Sequence, residues 1–304
     1  MKKICRLCLV LILSTQPVLV AFSGNDFSKT VDVSTKILGG VEAQPGAWPW
    51  MTALLYSNKQ SIYQAQFCSG VLIDDTWVLT AAHCVEGMPA GDMNVAVGAY
   101  DLNAFTGSRI SVKSIRIHPQ YYNDNVTIRN DIALLELSQP SSVAAIPLYS
   151  GVSNDNVAPS LLGVMLTAIG WGLADGTVDW YYPSRLRQVN LPVVADSYCN
   201  DIYGDTLVAS QFCAGFYAGK DVCNGDSGGP VVAKIDGVWV HAGLVSYGSN
   251  CEYYQGWYGV YTRTSEHINF ITSYVPGVTV TTRKETPFQY VLPALNLLLL
   301  DDNP

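Results

Sequence analysis

Between residues 51 and 262 short apolar runs alternate with turn residues, and this alternation leaves few architectures open. Runs at 51–56, 70–73, 77–80, 94–97, 110–117 and 132–137 have the length of strands. So do those at 161–169, 188–194, 231–235, 238–246 and 259–262. Strand-length runs spaced this closely, with Gly, Pro, Asn and Asp between them, predict an all-β barrel or sandwich. Two barrels of similar size fit the length between Ile37 and Pro276. Two helices are expected, at 195–202 and 265–275. The second places Ile268, Ile271 and Val275 on one face, with Thr264 or Ser265 as its N-cap. Apolar residues make up 49% of the chain and charged residues 14%, which suits a large buried core and argues against disorder.

The two ends read differently from the middle. Residues 1–23 have the pattern of a secretory signal. Lys2, Lys3 and Arg6 precede an apolar core at 7–13, and Ala21 and Ser23 give a small-x-small cleavage site. That core is too short to span a bilayer. Residues 24–36 read as a pro-segment. Cleavage after Lys36 would free an α-amino group at Ile37, ahead of Leu38-Gly39-Gly40. Residues 37–276 form the expected domain. The 277–304 extension holds a Thr-rich stretch and an apolar run at 291–300 interrupted by Pro293 and Asn296. That run is too short for a membrane span, and an extra strand or a docking segment is expected instead. The extension is expected to be dispensable for catalysis.

Charge and cysteine usage narrow the function. The formal net charge is −8 and no basic run occurs, so nucleic-acid binding is not expected. Cys5 and Cys8 would leave with the signal. Cys68, Cys84, Cys199, Cys213, Cys223 and Cys251 remain, an even count that predicts disulfides in an oxidising compartment, extracellular or periplasmic. Their spacing matches no zinc motif and leaves the pairing open.

One stretch carries candidate chemistry. In Cys223-Asn224-Gly225-Asp226-Ser227-Gly228-Gly229-Pro230 a serine sits in a tight glycine-rich loop. It reads as a nucleophile with the N–H groups of Gly225 and Ser227 as an oxyanion hole. Four histidines are available as its base. His83 follows an apolar strand and small residues in Leu79-Thr80-Ala81-Ala82-His83-Cys84, a rigid setting. His118, His241 and His267 read as structural. Asp131 enters an apolar strand, where a carboxylate needs a partner such as an imidazole N–H. Ser246 is placed to give it a second hydrogen bond.

Ala81-Ala82-His83-Cys84, Asp131-Ile132-Ala133-Leu134 and Gly225-Asp226-Ser227-Gly228-Gly229-Pro230 together resemble the chymotrypsin–trypsin family of serine endopeptidases. Ile37-Leu38-Gly39-Gly40, Gly170-Trp171-Gly172 and Gly259-Val260-Tyr261-Thr262-Arg263 match as well, so the resemblance runs from Ile37 to about Val275. It implies an all-β fold of two packed six-stranded antiparallel β-barrels with a short C-terminal helix. It implies His83 as general base, Asp131 as its orienter, Ser227 as nucleophile, and the Gly225 and Ser227 N–H groups as the oxyanion hole. It pairs Cys68 with Cys84, Cys199 with Cys213 and Cys223 with Cys251. The family's further bridge would join Leu166 and Ala233, so it is not expected here.

The same resemblance implies specificity and activation. Asp221 falls at the base of the substrate pocket, and Gly248 and Gly259 keep its walls open. Val222 replaces a hydroxyl residue and Tyr247 a tryptophan, beside Ser246. Cleavage after Arg, and less well after Lys, is expected, on protein or peptide substrates carrying basic residues. An activating protease would cut after Lys36, and the Ile37 ammonium would pair with Asp226. No cofactor is expected. No calcium is expected in the 99–109 loop, where Asp101 is the one acid. Tyr258, where many members have proline, is associated with a monovalent-cation site. A monomer is expected.

Two rival readings are weaker. Gly225-Asp226-Ser227-Gly228-Gly229 also fits the elbow of α/β-hydrolases, but that class needs its acid and histidine after the serine and alternating helices. A non-catalytic binding homologue usually lacks a triad member, whereas this chain keeps all three.

Overall fold

The computed structural model describes residues 40–124, 127–152, 161–162, 164–175, 180–204, 206–215, 222–248 and 258–283. Six strands close a first barrel: β1 (Met51–Tyr56), β2 (Gln66–Asp74), β3 (Trp77–Thr80), β4 (Met93–Val97), β5 (Ile110–Ile117) and β6 (Ala133–Leu137). Their order around the barrel is β1-β2-β3-β6-β5-β4, antiparallel at each pairing. Alternation is clearest in β5, where Ile110 and Val112 are buried and Ser111 and Lys113 are not. Leu54, Val71, Leu79 and Leu134 fill the interior with no exposure.

The second half contains β7 (Leu148–Val152), β8 (Met165–Gly170), β9 (Arg187–Pro192), β10 (Gln211–Ala214), β11 (Pro230–Ile235), β12 (Val238–Tyr247), β13 (Gly259–Arg263) and β14 (Val280–Arg283). Six of them curl in the antiparallel order β9-β8-β11-β12-β13-β10 around Leu166, Val189, Phe212, Val231 and Tyr261. A bridge from Val193 to Ala214 brings the two ends of that curl together. Val41–Glu42 adds to β9, which seats the beginning of the expected domain against the second barrel. Gly40 lies so close to β9 that an added Cβ would meet the Gln188 carbonyl oxygen at 2.5 Å.

The sequence pattern located every core strand but β10, which is fully buried yet only four residues long, and missed the peripheral strands. β7 is interrupted by Ser150 and Gly151, and β14 is four residues long, so neither carries an alternating apolar signal. The four-residue helix α1 (Ile62–Ala65) was also unpredicted; Ser61 caps it by accepting from Gln64 N–H at 3.3 Å. Helix α2 (Asp196–Tyr203) agrees with the expectation within a residue. The last helix, α3 (Ile268–Tyr274), begins three residues later than expected, after a 3-10 turn over Thr264–His267. Thr264 does not cap it, because its hydroxyl is engaged at 2.9 Å with Nδ1 of buried His241. Among the described residues no helix is long and apolar enough to cross a membrane.

The C-terminal extension begins inside the fold. β14 runs parallel to β7 and forms the outer edge of the sheet, with Leu148 N–H donating to the Thr279 carbonyl at 2.8 Å. Val278 is 8% exposed and packs into the core. The apolar run at 291–300 lies outside the described residues. Deleting 277–304 is expected to lower Tm by roughly 5–10 °C, since a few hydrogen bonds and one buried valine are lost. Turnover of a small ester by the shortened domain should match the parent; scanning calorimetry and steady-state kinetics on both chains check this.

Candidate active site

The rim where the two barrels meet is built from turns that the strands fix in place. β3 ends at Thr80, buried Ala81 follows, and a 3-10 turn over Ala82–Cys84 presents His83. Cys84 forms a disulfide to Cys68 of β2, which ties that turn to its neighbour. The His83 side chain is 21% exposed, so one ring edge stays open to solvent. Asp131 follows Asn130, whose backbone is left-handed (φ 48°), and precedes β6. That turn aims the carboxylate inward, where it is 1% exposed.

Three donors converge on this carboxylate. His83 N–H reaches Oδ1 at 2.9 Å, His83 Nδ1 reaches Oδ2 at 2.8 Å, and the Ser246 hydroxyl reaches Oδ2 at 2.5 Å. Thr262 donates to the Asp131 main-chain carbonyl at 2.9 Å. Ser246 and Thr262 belong to β12 and β13, so the second barrel braces an acid of the first. Burial alone would push the Asp131 pKa up, but the His83 and Ser246 hydrogen bonds and the imidazole charge hold it below the ordinary value. Burial likewise pulls His83 down, and Asp131 outweighs it to leave the imidazole pKa raised.

The other histidines are engaged elsewhere. Burial pushes His241 down to about 3, where it stays neutral. His267 Nδ1 lies 2.9 Å from the Arg263 carbonyl, and His118 Nδ1 accepts from Gln120 N–H at 3.2 Å. A cluster of Cys68, His83 and Cys84 has metal-like spacing, but both sulfurs are committed to the disulfide.

The loop from Cys223 to Pro230 lies against the same turn. Gly228 has φ +72°, and an added Cβ would come within 2.2 Å of the Thr80 hydroxyl and 3.0 Å of Ala81 N. Ser227, next to Gly228 in the chain, is thereby held beside the end of the strand that leads to His83, and its carbonyl accepts from Ser69 N–H at 2.8 Å. Among the described residues no hydrogen bond joins His83 Nε2 to Ser227 Oγ; contacts of this kind commonly tighten when substrate binds. The peptides that carry the Gly225 and Ser227 N–H groups are fixed through their carbonyls. The Asn224 carbonyl accepts from Leu173 N–H at 2.7 Å and the Asp226 carbonyl from Gly229 N–H at 2.8 Å. The Gly225 and Ser227 N–H groups themselves donate to nothing among the described residues. Two fixed, unspent donors beside a serine suit a developing oxyanion.

The sequence as a whole agrees with this geometry: the trypsin family model matches residues 37–271. The chain belongs to the trypsin family of serine proteases. It is 33% identical over 269 residues to vitamin K-dependent protein C of Mus musculus, covering 85% of this chain and 56% of that protein. It is 34% identical over 254 residues to a tryptase of Mus musculus, covering 79% of this chain and 89% of the tryptase. Coagulation factor IX of Oryctolagus cuniculus is 34% identical over 248 residues, covering 80% and 86%. The chain spans a little over half the length of the protein C relatives it matches.

In this trypsin-family chain Asp226 occupies a slot with no room to spare. A Cβ on Gly170 or Gly172 would fall 2.0 Å or 2.3 Å from its carboxylate atoms, which explains the Gly170-Trp171-Gly172 sequence. Gly172 N–H donates to Oδ1 at 2.7 Å and Cys223 N–H to Oδ2 at 2.9 Å. Burial pushes its pKa up to about 6. Lys36 and Ile37 lie outside the described residues, as does Asp221. Gly248 and Gly259 face each other, a Cβ on the first standing 3.8 Å from the second. Val222 is half-buried, and Tyr247 stands edge-on to Tyr203 at 5.8 Å between ring centroids. The Tyr258 carbonyl accepts from Tyr203 OH at 2.7 Å; the adjoining 249–257 loop lies outside the described residues.

Cys199 and Cys213 form a second disulfide; Cys223 is also disulfide-bonded, and its expected partner Cys251 lies outside the described residues. Asp101 accepts from Asn103 N–H at 2.9 Å and from Arg185 Nε at 3.4 Å. Sequence reading missed Gln66, Ser69, Thr80 and Leu173 as supports of the site. Their partners lie up to 159 residues away, and no local pattern marks them.

Proposed function

We propose that this chain is the zymogen of a secreted serine endopeptidase that cleaves after Arg and, less well, after Lys. The observation that carries the reading is the buried Asp131 carboxylate, bonded twice by His83 beside the turn on which the Ser227 loop rests. Asp131 accepts the Nδ1 proton of His83, which leaves Nε2 with a lone pair as the base. Ser227 Oγ attacks the scissile carbonyl as Nε2 takes its proton, and the Gly225 and Ser227 N–H groups receive the oxyanion. Nε2 then protonates the leaving amine, and a water repeats the sequence on the acyl-enzyme. The natural setting is extracellular or periplasmic, the activating protease acts after Lys36, and the working form is a monomer.

Specificity follows from Asp221, which by its offset from Cys223 and Ser227 floors a pocket kept clear by Gly248 and Gly259. A guanidinium meets such a carboxylate with two parallel N–H···O bonds. A lysine ammonium is shorter and needs a bridging water and a nearby hydroxyl, which Val222 does not supply. Losing one hydrogen bond to a charged group amounts to roughly 1.5–3 kcal/mol, so Arg should exceed Lys by about ten- to a hundredfold in kcat/KM. Matched peptides carrying Arg, Lys or Phe before the scissile bond test this. Asp221→Ser should cut the Arg and Lys values heavily and leave Phe little changed. Phe turnover equal to Arg in the parent enzyme would remove Asp221 from the pocket floor. Labelling of Ser227 by a fluorophosphonate separates an enzyme from a binding homologue.

A further inference from the structure

Strand β2 of the first barrel holds the Ser227 loop of the second at two carbonyls. Ser69 N–H donates to the Ser227 carbonyl at 2.8 Å. Gln66 Nε2 donates to the Gly225 carbonyl at 3.1 Å and to the Cys68 carbonyl at 3.3 Å, and the Ser69 hydroxyl reaches Gly225 O at 3.4 Å. An amide NH₂ has two protons to give, and a carbonyl oxygen has none. Both partners here are carbonyls, so the nitrogen of Gln66, and not its oxygen, must face them.

Gly225 needs an outside hold. Its φ of +98° is a conformation that L side chains rarely adopt, and a Cβ would meet Gly172 Cα at 3.1 Å and the Tyr182 ring at 3.2 Å. Only glycine fits, and glycine has nothing of its own to restrict it. Leu173 fixes the peptide before Gly225; Gln66 fixes the peptide after it. Three residues before Gln66, Tyr63 donates to the Tyr182 carbonyl at 2.7 Å, so a single short segment steadies Gly225 and the aromatic wall beside it.

We propose that Gln66 is a positioning residue for the oxyanion hole: its amide fixes Gly225 so that the Gly225 N–H meets the developing charge, without touching substrate. The proposal rests on the reading above that Gly225 and Ser227 N–H groups receive the oxyanion. A carboxamide does not titrate, so the hold is the same across the pH range in which His83 changes charge. The support therefore acts on kcat and on tetrahedral adducts, and not on ground-state binding.

The test uses the mature activated enzyme with Gln66→Leu, Gln66→Glu and Ser227→Ala. Gln66→Leu is expected to lower kcat about tenfold with KM unchanged, a fraction of the loss for deleting an oxyanion donor outright. Its affinity for a peptide aldehyde, which forms a tetrahedral adduct, should fall by the same factor. Gln66→Glu keeps the length but, when ionised, offers no proton to the Gly225 carbonyl. Its kcat relative to the parent should be lowest near pH 8 and climb as pH falls toward 5 and the carboxyl becomes a donor. Parent-like kcat and aldehyde affinity for both variants at every pH would overturn the proposal. A loss in KM alone, or a Gln66→Glu ratio that is flat with pH, would also overturn it. Turnover retained by Ser227→Ala would instead sink the underlying serine-protease reading, whatever Gln66 does.

Discussion

Asp131→Asn is expected to lower kcat by about 10⁴-fold while KM stays near the parent value. The reason lies in the three donors around this carboxylate. An asparagine must keep its oxygen toward His83 N–H, which turns its NH₂ toward His83 Nδ1. That nitrogen then accepts, the ring proton moves to Nε2, and the imidazole can no longer take a proton from Ser227. The pH profile should change too. Activity requires neutral His83, and in the parent Asp131 holds its pKa above the ordinary value, so kcat/KM rises with pH through a midpoint above about 6.5. Without the carboxylate, burial, the largest influence on this imidazole, is opposed by Glu86 alone, and that limb moves to lower pH. Stopped-time assays of a small ester from pH 5 to 9 measure both effects. A kcat within tenfold of the parent would show that Asp131 does not orient the base.

A single chain uncut at Lys36 should be between about 10² and 10⁴ times less active than the mature enzyme, and Lys36→Gln should stay so after treatment with trypsin. Asp226 is the cause. It is buried in its glycine-lined slot with two backbone N–H groups as donors. Losing one partner from a buried ion pair costs roughly 3–5 kcal/mol, which sets the range. The sign of the pH effect follows from a pKa raised to about 6. A carboxyl raised in the folded state favours folding below its unfolded pKa near 3.8 and loses that contribution as pH rises through about 6. Near pH 8 the uncut chain therefore carries a penalty of about 3 kcal/mol that an Ile37 ammonium would offset. Urea midpoints of cut and uncut Ser227→Ala protein should diverge between pH 5 and 8. Full activity with the bond at Lys36 intact would sink the idea.

Much of this site was legible because its parts are local. His83, Asp131 and Ser227 each sit in a short run whose neighbours announce the backbone they need: Ala81 and Ala82, the apolar β6, and the glycines around Ser227. Most core strands were legible for the same reason, since Met51–Tyr56, Trp77–Thr80 and Ile110–Ile117 each declare their length by apolar pattern, whereas the four-residue Gln211–Ala214 does not. What escaped is long-range. The Gln66 amide meets a carbonyl 159 residues on, and nothing in Gln66-Phe67-Cys68 marks it. β14 forms because β7 presents an open edge, not because Val-Thr-Thr-Arg is a strong strand sequence. The Thr264 cap failed because a buried imidazole competed for its hydroxyl.

Asp131 comes from the first barrel and is braced by Ser246 and Thr262 of the second; the Ser227 loop comes from the second and is gripped by β2 of the first. Neither half, then, owns the chemistry. A misplacement of about 1 Å can cost a hundredfold in rate. Slight slippage of one intact half against the other would therefore silence the enzyme long before either lost its shape. Turnover in this protein is a gauge of docking, and residues that never meet a substrate, such as Thr80 and Ser69, answer to the same requirement as those that do.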